Sequence, residues 1–263
     1  ECGNGRSEVT GNGVNRVIRY RKISKILLKL APPVMLAQLI QALYNIIDSL
    51  FVGRYSDAGL TALSIVYPLQ LLMIALAVGT GVGINTVMAA KLGVGNKQEA
   101  EEYAGVGTPL AIGLWVVFAA VCYAIMPLYA KLQTSSPEVI ENVVLYGRIV
   151  CIFSFGLFLE SIRTKVLQAQ GDMKTPMIAQ ICGAVTNIVL DPLLIFGMFG
   201  LPKMGIAGAA VATVIGQWVA AILAIVFNFT KNPDVQLAFK YMRPDGYILK
   251  KILVVGIPSI IMM

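Results

Sequence analysis

Stretches without a single charged residue recur along this chain, from Ala58 to Ala90, from Ala104 to Ala130 and from Met204 to Thr230. About 20 apolar residues cross a bilayer as a helix, so each stretch predicts a transmembrane span. Three further runs carry only isolated or terminal charges: about Leu30 to Gly53, Val139 to Ala169, and Thr175 to Leu201. Polar turns separate them at Lys91–Tyr103, Lys131–Glu138, Gln170–Pro176 and Phe199–Gly205. A seventh apolar stretch begins at about Ile252 and reaches Met263. The run from Ala58 to Ala90 would be about 50 Å long as one helix, against a hydrocarbon thickness of roughly 30 Å, so it tilts, bends or protrudes. Pro68 and the glycines between Gly79 and Gly83 are its expected bending or close-packing points.

Polar residues inside these runs carry the chemistry. Asp191 sits in mid-run, and a lone carboxylate there costs roughly 2.5–3.5 kcal/mol to insert, so it faces a bundle interior or a wet cavity. Asn187 lies one turn before it on the same helix face. Pro192 has no amide hydrogen to offer the Ile188 carbonyl, which stays an acceptor beside both side chains. An amide, a carboxylate and a free carbonyl within one turn suit a small cation or a proton. The competing reading is a structural aspartate, hydrogen-bonded across helices, with the proline only a kink.

The first span has a polar stripe. Gln38, Gln41, Asn45 and Asp48 fall within about a quarter of the helix circumference at roughly 100° per residue, so this face is expected to line a cavity or another span. In the sixth span Thr213 and Gln217 share a face. In the fourth, Glu160 and Arg163 stand one turn apart and are expected to pair near the membrane edge.

Composition agrees with the spans: 57% hydrophobic and 13% charged residues, where globular domains average about 25% charged. The absence of histidine removes imidazole acid–base catalysis, histidine metal ligands and serine–histidine nucleophile pairs. Cys122, Cys151 and Cys182 fall in apolar segments without a C-x-x-C pair and read as small core residues. A net charge of +7 invites a nucleic-acid reading, but its distribution argues for membrane topology. Seventeen of the 21 Lys and Arg fall in the N-terminal segment and the alternate connections on its side, which places the N-terminus in the cytoplasm by the positive-inside rule. Residues 1 to about 15 read as a flexible tail, and six basic residues between Arg16 and Lys29 as an amphipathic lead-in on the inner surface.

Lys25-Ile-Leu-Leu-Lys-Leu-Ala-Pro32 is echoed by Lys251-Ile-Leu-Val-Val-Gly-Ile-Pro258. A repeat after six spans has parallel orientation, as in transporters built from two six-span halves. The expectation is therefore one half of such a protein, with the first turns of the second.

Five motifs in order sharpen this: Pro32-Pro33 leading into Ile47-Asp48-Ser49-Leu50-Phe51-Val52-Gly53-Arg54; Leu92-Gly93-Val94-Gly95-Asn96 with Ala100; the segment from Gln168 to Met177; Asn187-Ile188-Val189-Leu190-Asp191-Pro192; and the segment from Gly205 to Thr213. With these the chain resembles the multidrug and toxic compound extrusion (MATE) family in its bacterial form. The resemblance implies an all-α integral membrane protein, a six-helix lobe of a twelve-helix transporter with a truncated seventh helix. It divides the chain into a basic tail (1–22), an N-lobe (23–230), a cytoplasmic connector (231–251) and the start of helix seven (252–263). It implies export of small organic cations or drugs across the bacterial cytoplasmic membrane in exchange for H+ or Na+, without cofactor, enzymatic activity or nucleic-acid partner, and with the C-lobe as the missing partner. Asp48, Asn187 and Asp191 match the family's cation-coupling site, where Na+ would be held, with Thr213 a fourth member. Gln38, Gln41, Asn45 and Gln217 are the expected cavity-lining and substrate-facing residues. The alternatives are a flippase for a lipid-linked precursor, which favours a strongly cationic cavity, and a non-transporting membrane protein. A membrane prenyltransferase is argued against by the lack of an Asp-rich metal motif.

Overall fold

The computed structural model describes residues 8–200, 202–230 and 246–263, with side chains described for residue 28 and from Ala31 onward. The expectations for the first seven residues, for the side chains of the basic lead-in and for most of the connector (231–245) lie outside the described residues. Among the described residues eight α-helices follow one another: α1 (Glu8–Tyr55), α2 (Asp57–Gly93), α3 (Lys97–Gln133), α4 (Pro137–Phe153), α5 (Phe155–Ala169), α6 (Lys174–Phe196), α7 (Ile206–Thr230) and α8 (Gly246–Ile261). Among the described residues five helices are long and apolar enough to cross a membrane, and the bent pair α4–α5 makes a sixth span.

Local chemistry sets the helix boundaries. Ser56 caps α2 by accepting the Gly59 amide at 3.2 Å, and Asn96 caps α3 by accepting the Glu99 amide at the same distance. Asn96 also donates to the Glu99 carboxylate at 2.8 Å, and Lys91 forms an ion pair with Glu99 that ties the end of α2 to the start of α3. Its Lys91 partner holds the Glu99 carboxyl below its ordinary range. The stabilisation this gives is present above the ordinary carboxylate value and lost as pH falls through the lowered one. Hydrogen exchange in the first turn of α3 is therefore expected to quicken at acid pH in the wild type, and to be already fast at neutral pH in Glu99→Gln.

Packing relies on small residues. A Cβ on Gly183 would stand 2.7 Å from the Gly216 carbonyl oxygen, and one on Gly216 2.8 Å from that of Gly183, so α6 and α7 meet backbone to backbone. The glycines of α2 serve the same end. Gly79 and Gly83 lie directly against Ile260 and Ile252 of α8, which answers the sequence alternative in favour of close packing. The core between α2, α3, α4 and α5 is filled by Ile84, Met88, Tyr146, Phe158 and Ile162. Outward-facing Val117, Val121, Ile125 and Leu128 of α3 are half or more exposed, as a lipid-facing surface requires.

The fourth span departs from expectation. Instead of one helix, the chain bends by 42° at Ser154 between α4 and α5. The free polar groups at the break are taken up locally: Ser154 Oγ donates to the Cys151 carbonyl at 2.7 Å, and Trp115 Nε1 on α3 donates to the Ile152 carbonyl at 2.9 Å. Trp115, Phe155 and Trp218 then stack in series, with ring centroids 5.2 and 5.7 Å apart. Glu160 and Arg163, three residues apart on α5, turn to different neighbours. They do not pair: Arg163 Nη2 donates to Thr108 of α3 at 2.6 Å, whereas Glu160 accepts from Gln180 of α6 at 3.1 Å.

Candidate functional site

Asp48, near the C-terminal end of α1, and Asn187 and Asp191 on α6 come together where these helices meet the first half of α7. Phe51 and Tyr55 of α1 lie edge-on to Phe196 of α6, each pair of ring centroids 6.3 Å apart, and pin this crossing. Asp191 is completely buried and Asp48, Asn187 and Thr213 nearly so. The Asn187 amide nitrogen donates to Asp191 Oδ1 at 3.3 Å and approaches Thr213 Oγ1 at 3.4 Å. With the amide turned over, the nitrogen still reaches Asp191 at 3.3 Å while the oxygen accepts the Thr213 backbone amide at 3.2 Å, and this orientation satisfies both ends. The Tyr146 hydroxyl, which lines one cavity with Thr213, accepts from Gln70 at 3.2 Å. Asp48 and Asp191 are close enough for their charges to interact.

One atom stands out. Asp48 Oδ1 is buried and has no hydrogen-bond partner. A buried carboxylate oxygen left bare is expensive, and a proton or a cation removes the cost. The donors nearby are carboxylates, a carboxamide and a hydroxyl, an all-oxygen set suited to a hard cation. The described residues contain no cluster of three His, Cys, Asp or Glu, so the set does not resemble a transition-metal centre.

Two cavities flank the site. The larger, about 450 Å³, is lined by Tyr44, Asn45, Asp48, Tyr67, Gln70 and Tyr146. The smaller, about 70 Å³, is lined by Gln41, Glu160, Gln180, Asn187 and Gln217 among others. Tyr44 and Thr213 border both and form the wall between them. Asp48, Asn187, Asp191 and Thr213 lie close together, and Gln41, Asn45 and Gln217 line a cavity. Gln38 does not: it is exposed and borders neither cavity. The stripe on α1 sinks into the bundle only towards its Asp48 end, and helical periodicity gives the face of a residue without its depth. Tyr44, Gln70, Tyr146, Glu160 and Gln180 are cavity residues that spacing alone had not singled out. Tyr44 was within reach, since it stands four residues before Asp48; its hydroxyl accepts from Gln41 Nε2 at 3.0 Å.

Membrane-crossing helices wrapped around buried carboxylates and two cavities define a lobe of a multi-pass membrane protein. The family described as MatE matches residues 33–193, more than half of the chain, and the chain belongs to that family. A relative described as a probable multidrug resistance protein NorM, from Thermotoga maritima, is 30% identical over 247 residues, covering 91% of this chain and 52% of the relative. A protein described as an FAD transporter, from Shewanella oneidensis, is 28% identical over 204 residues, covering 76% and 44% respectively. Among solved structures, an outward-facing multidrug resistance MATE family transporter superposes with a TM-score of 0.83 at 28% identity, covering 90% of this chain and 52% of that one. A MOP superfamily transporter from Pyrococcus furiosus gives a TM-score of 0.82 with the same identity and coverage. The chain spans about half the length of these relatives, and its fold is that of the MATE N-lobe.

Proposed function

We propose that this lobe couples the binding of H+ or Na+ at Asp48, Asn187, Asp191 and Thr213 to the export of organic, often cationic, compounds across a bacterial cytoplasmic membrane. The observation that carries the reading is the bare, buried Oδ1 of Asp48, on a carboxylate close enough to Asp191 for their charges to interact. The excess of Lys and Arg on one side supports a cytoplasmic N-terminus. Family membership and the multidrug descriptions of the relatives support the exported class.

A cation on Asp48 and Asp191 relieves the repulsion between two carboxylates in a low dielectric and draws α1 against α6. Pro32 and Pro33, both inside α1, give that helix a place to rearrange, because each removes a backbone hydrogen bond. Cation binding and substrate binding in the adjoining cavities then exclude or favour one another through the position of α1, and the effect is reciprocal.

The test is sodium-22 binding and pH-dependent binding to the purified protein in lipid nanodiscs, wild type beside Asp191→Asn. Saturable sodium binding that the substitution abolishes supports sodium coupling. A proton-dependent signal removed by the same substitution, without sodium binding, supports proton coupling. Identical behaviour of the two proteins towards both ions overturns the assignment and leaves Asp191 a structural group.

A further inference from the structure

We propose that the smaller cavity is a separate subsite for the head of a protonated primary or secondary amine, with Glu160 as its anionic anchor. This rests on the transport reading above and names the substrate chemistry which that reading leaves open. Glu160 belongs to α5 and plays no part in the Asp48–Asp191 site. It is 7% exposed, and its one hydrogen bond to another helix comes from Gln180 Nε2 at 3.1 Å. Lys165 on the same helix is close enough for its charge to act on Glu160, but its ammonium donates to Gln168 at 2.9 Å and does not pair with the carboxylate, and Arg163 is turned towards Thr108. A carboxylate so placed in a membrane bundle marks a functional site.

The rest of the lining adds one open acceptor. Gln217 Oε1 is buried without a partner. The amide nitrogen of Gln180 is used on Glu160, and that of Gln41 on the Tyr44 hydroxyl at 3.0 Å. One open amide oxygen beside a carboxylate complements a cation that carries several N–H donors, each of which makes a charge-assisted bond. The volume of about 70 Å³ holds a few water-sized groups, which fits an ammonium and its first carbon. A quaternary ammonium is bulkier and has no N–H to give. Ile74 and Leu157 supply the apolar contact for the carbon that follows. Tyr44 and Thr213 stand between this chamber and that of Asp48, so the amine's carboxylate is not one of the ion's, although Asn187 and Thr213 border both sites.

Calorimetric titration of the wild-type protein in nanodiscs with phenethylammonium, with empty nanodiscs subtracted, tests this. Phenethyl alcohol and phenethyltrimethylammonium serve as neutral and N–H-free comparisons. Phenethylammonium is expected to bind at least tenfold more tightly than either. Glu160→Gln is expected to remove that preference, and Gln217→Met to weaken it several-fold while keeping the Glu160–Gln180 bond. Thermal unfolding of each variant shows that it is folded, and if Glu160→Gln is not, the Gln217→Met titration decides. Equal binding of the three probes to the wild type, or a preference unchanged in the folded variants, overturns the subsite. Sodium-22 or proton binding measured on the same samples separates the two readings: ion binding that depends on Asp191 beside amine binding indifferent to Glu160 defeats this inference alone.

Discussion

Asp48→Asn is expected to lower affinity for the coupling cation roughly a hundredfold while leaving the thermal unfolding midpoint unchanged or higher. Removing one charged member of a buried polar pair costs about 2–5 kcal/mol of binding, and each 1.4 kcal/mol is a factor of ten. The stability of the empty protein moves the other way, because the wild-type side chain leaves Oδ1 buried without a partner. An amide of the same shape replaces that charged oxygen with a neutral group, which is less costly to bury. Sodium-22 binding read beside differential scanning calorimetry separates the two effects. A variant that binds as well as wild type would remove Asp48 from the site, and one that binds poorly because it melts early would show that Asp48 is structural.

Gly208→Val is expected to be the most damaging single change in the α6–α7 hairpin. A Cβ at position 208 would lie 2.6 Å from the Leu194 carbonyl carbon and oxygen and 3.0 Å from the Ile195 amide nitrogen. Those are backbone atoms, and the Leu194 carbonyl already accepts the Met204 amide at 3.0 Å, so nothing can swing aside. Overpacking of this kind costs about 1–3 kcal/mol, occasionally more, and the missing freedom to relax puts this site at the upper end. The unfolding midpoint is expected to fall by roughly 10 °C. Since Leu194 is one turn beyond Asp191, ion binding should weaken with it. Gly113→Ala, where an added Cβ meets no atom within 4 Å, is the matched control and is expected to be silent.

The parts of this molecule that were legible in its sequence are those where cost is local. A carboxylate in an apolar run is costly wherever the run folds, so Asp48 and Asp191 stood out before any contact was known. Asn187 followed because helical spacing puts it one turn from Asp191. Glu160 was visible by the same cost, yet spacing offered Arg163 as its partner. The real partner, Gln180, is on another helix across a polar turn. The one local sign of the break at Ser154 is Gly156 two residues on, which alone does not fix a bend. The break exists because Trp115, 37 residues earlier, takes the Ile152 carbonyl. Gln38 was drawn into the cavity because it shares a face with Asp48, whereas depth depends on how α1 leans against its neighbours.

The stack at that break has a use. Trp115 and Trp218 are the chain's two tryptophans, and both touch Phe155 at the first residue of α5. The intrinsic ultraviolet emission of the protein therefore originates from one joint, on three helices, rather than from the molecule at large. α5 carries Glu160 less than two turns below that joint. A ligand that reorients α5 must alter the indole surroundings, whereas one that shifts only α8 should leave the spectrum as it was. The wild-type polypeptide is thus its own optical sensor, and stopped-flow fluorescence can time motions of α5 without any attached dye.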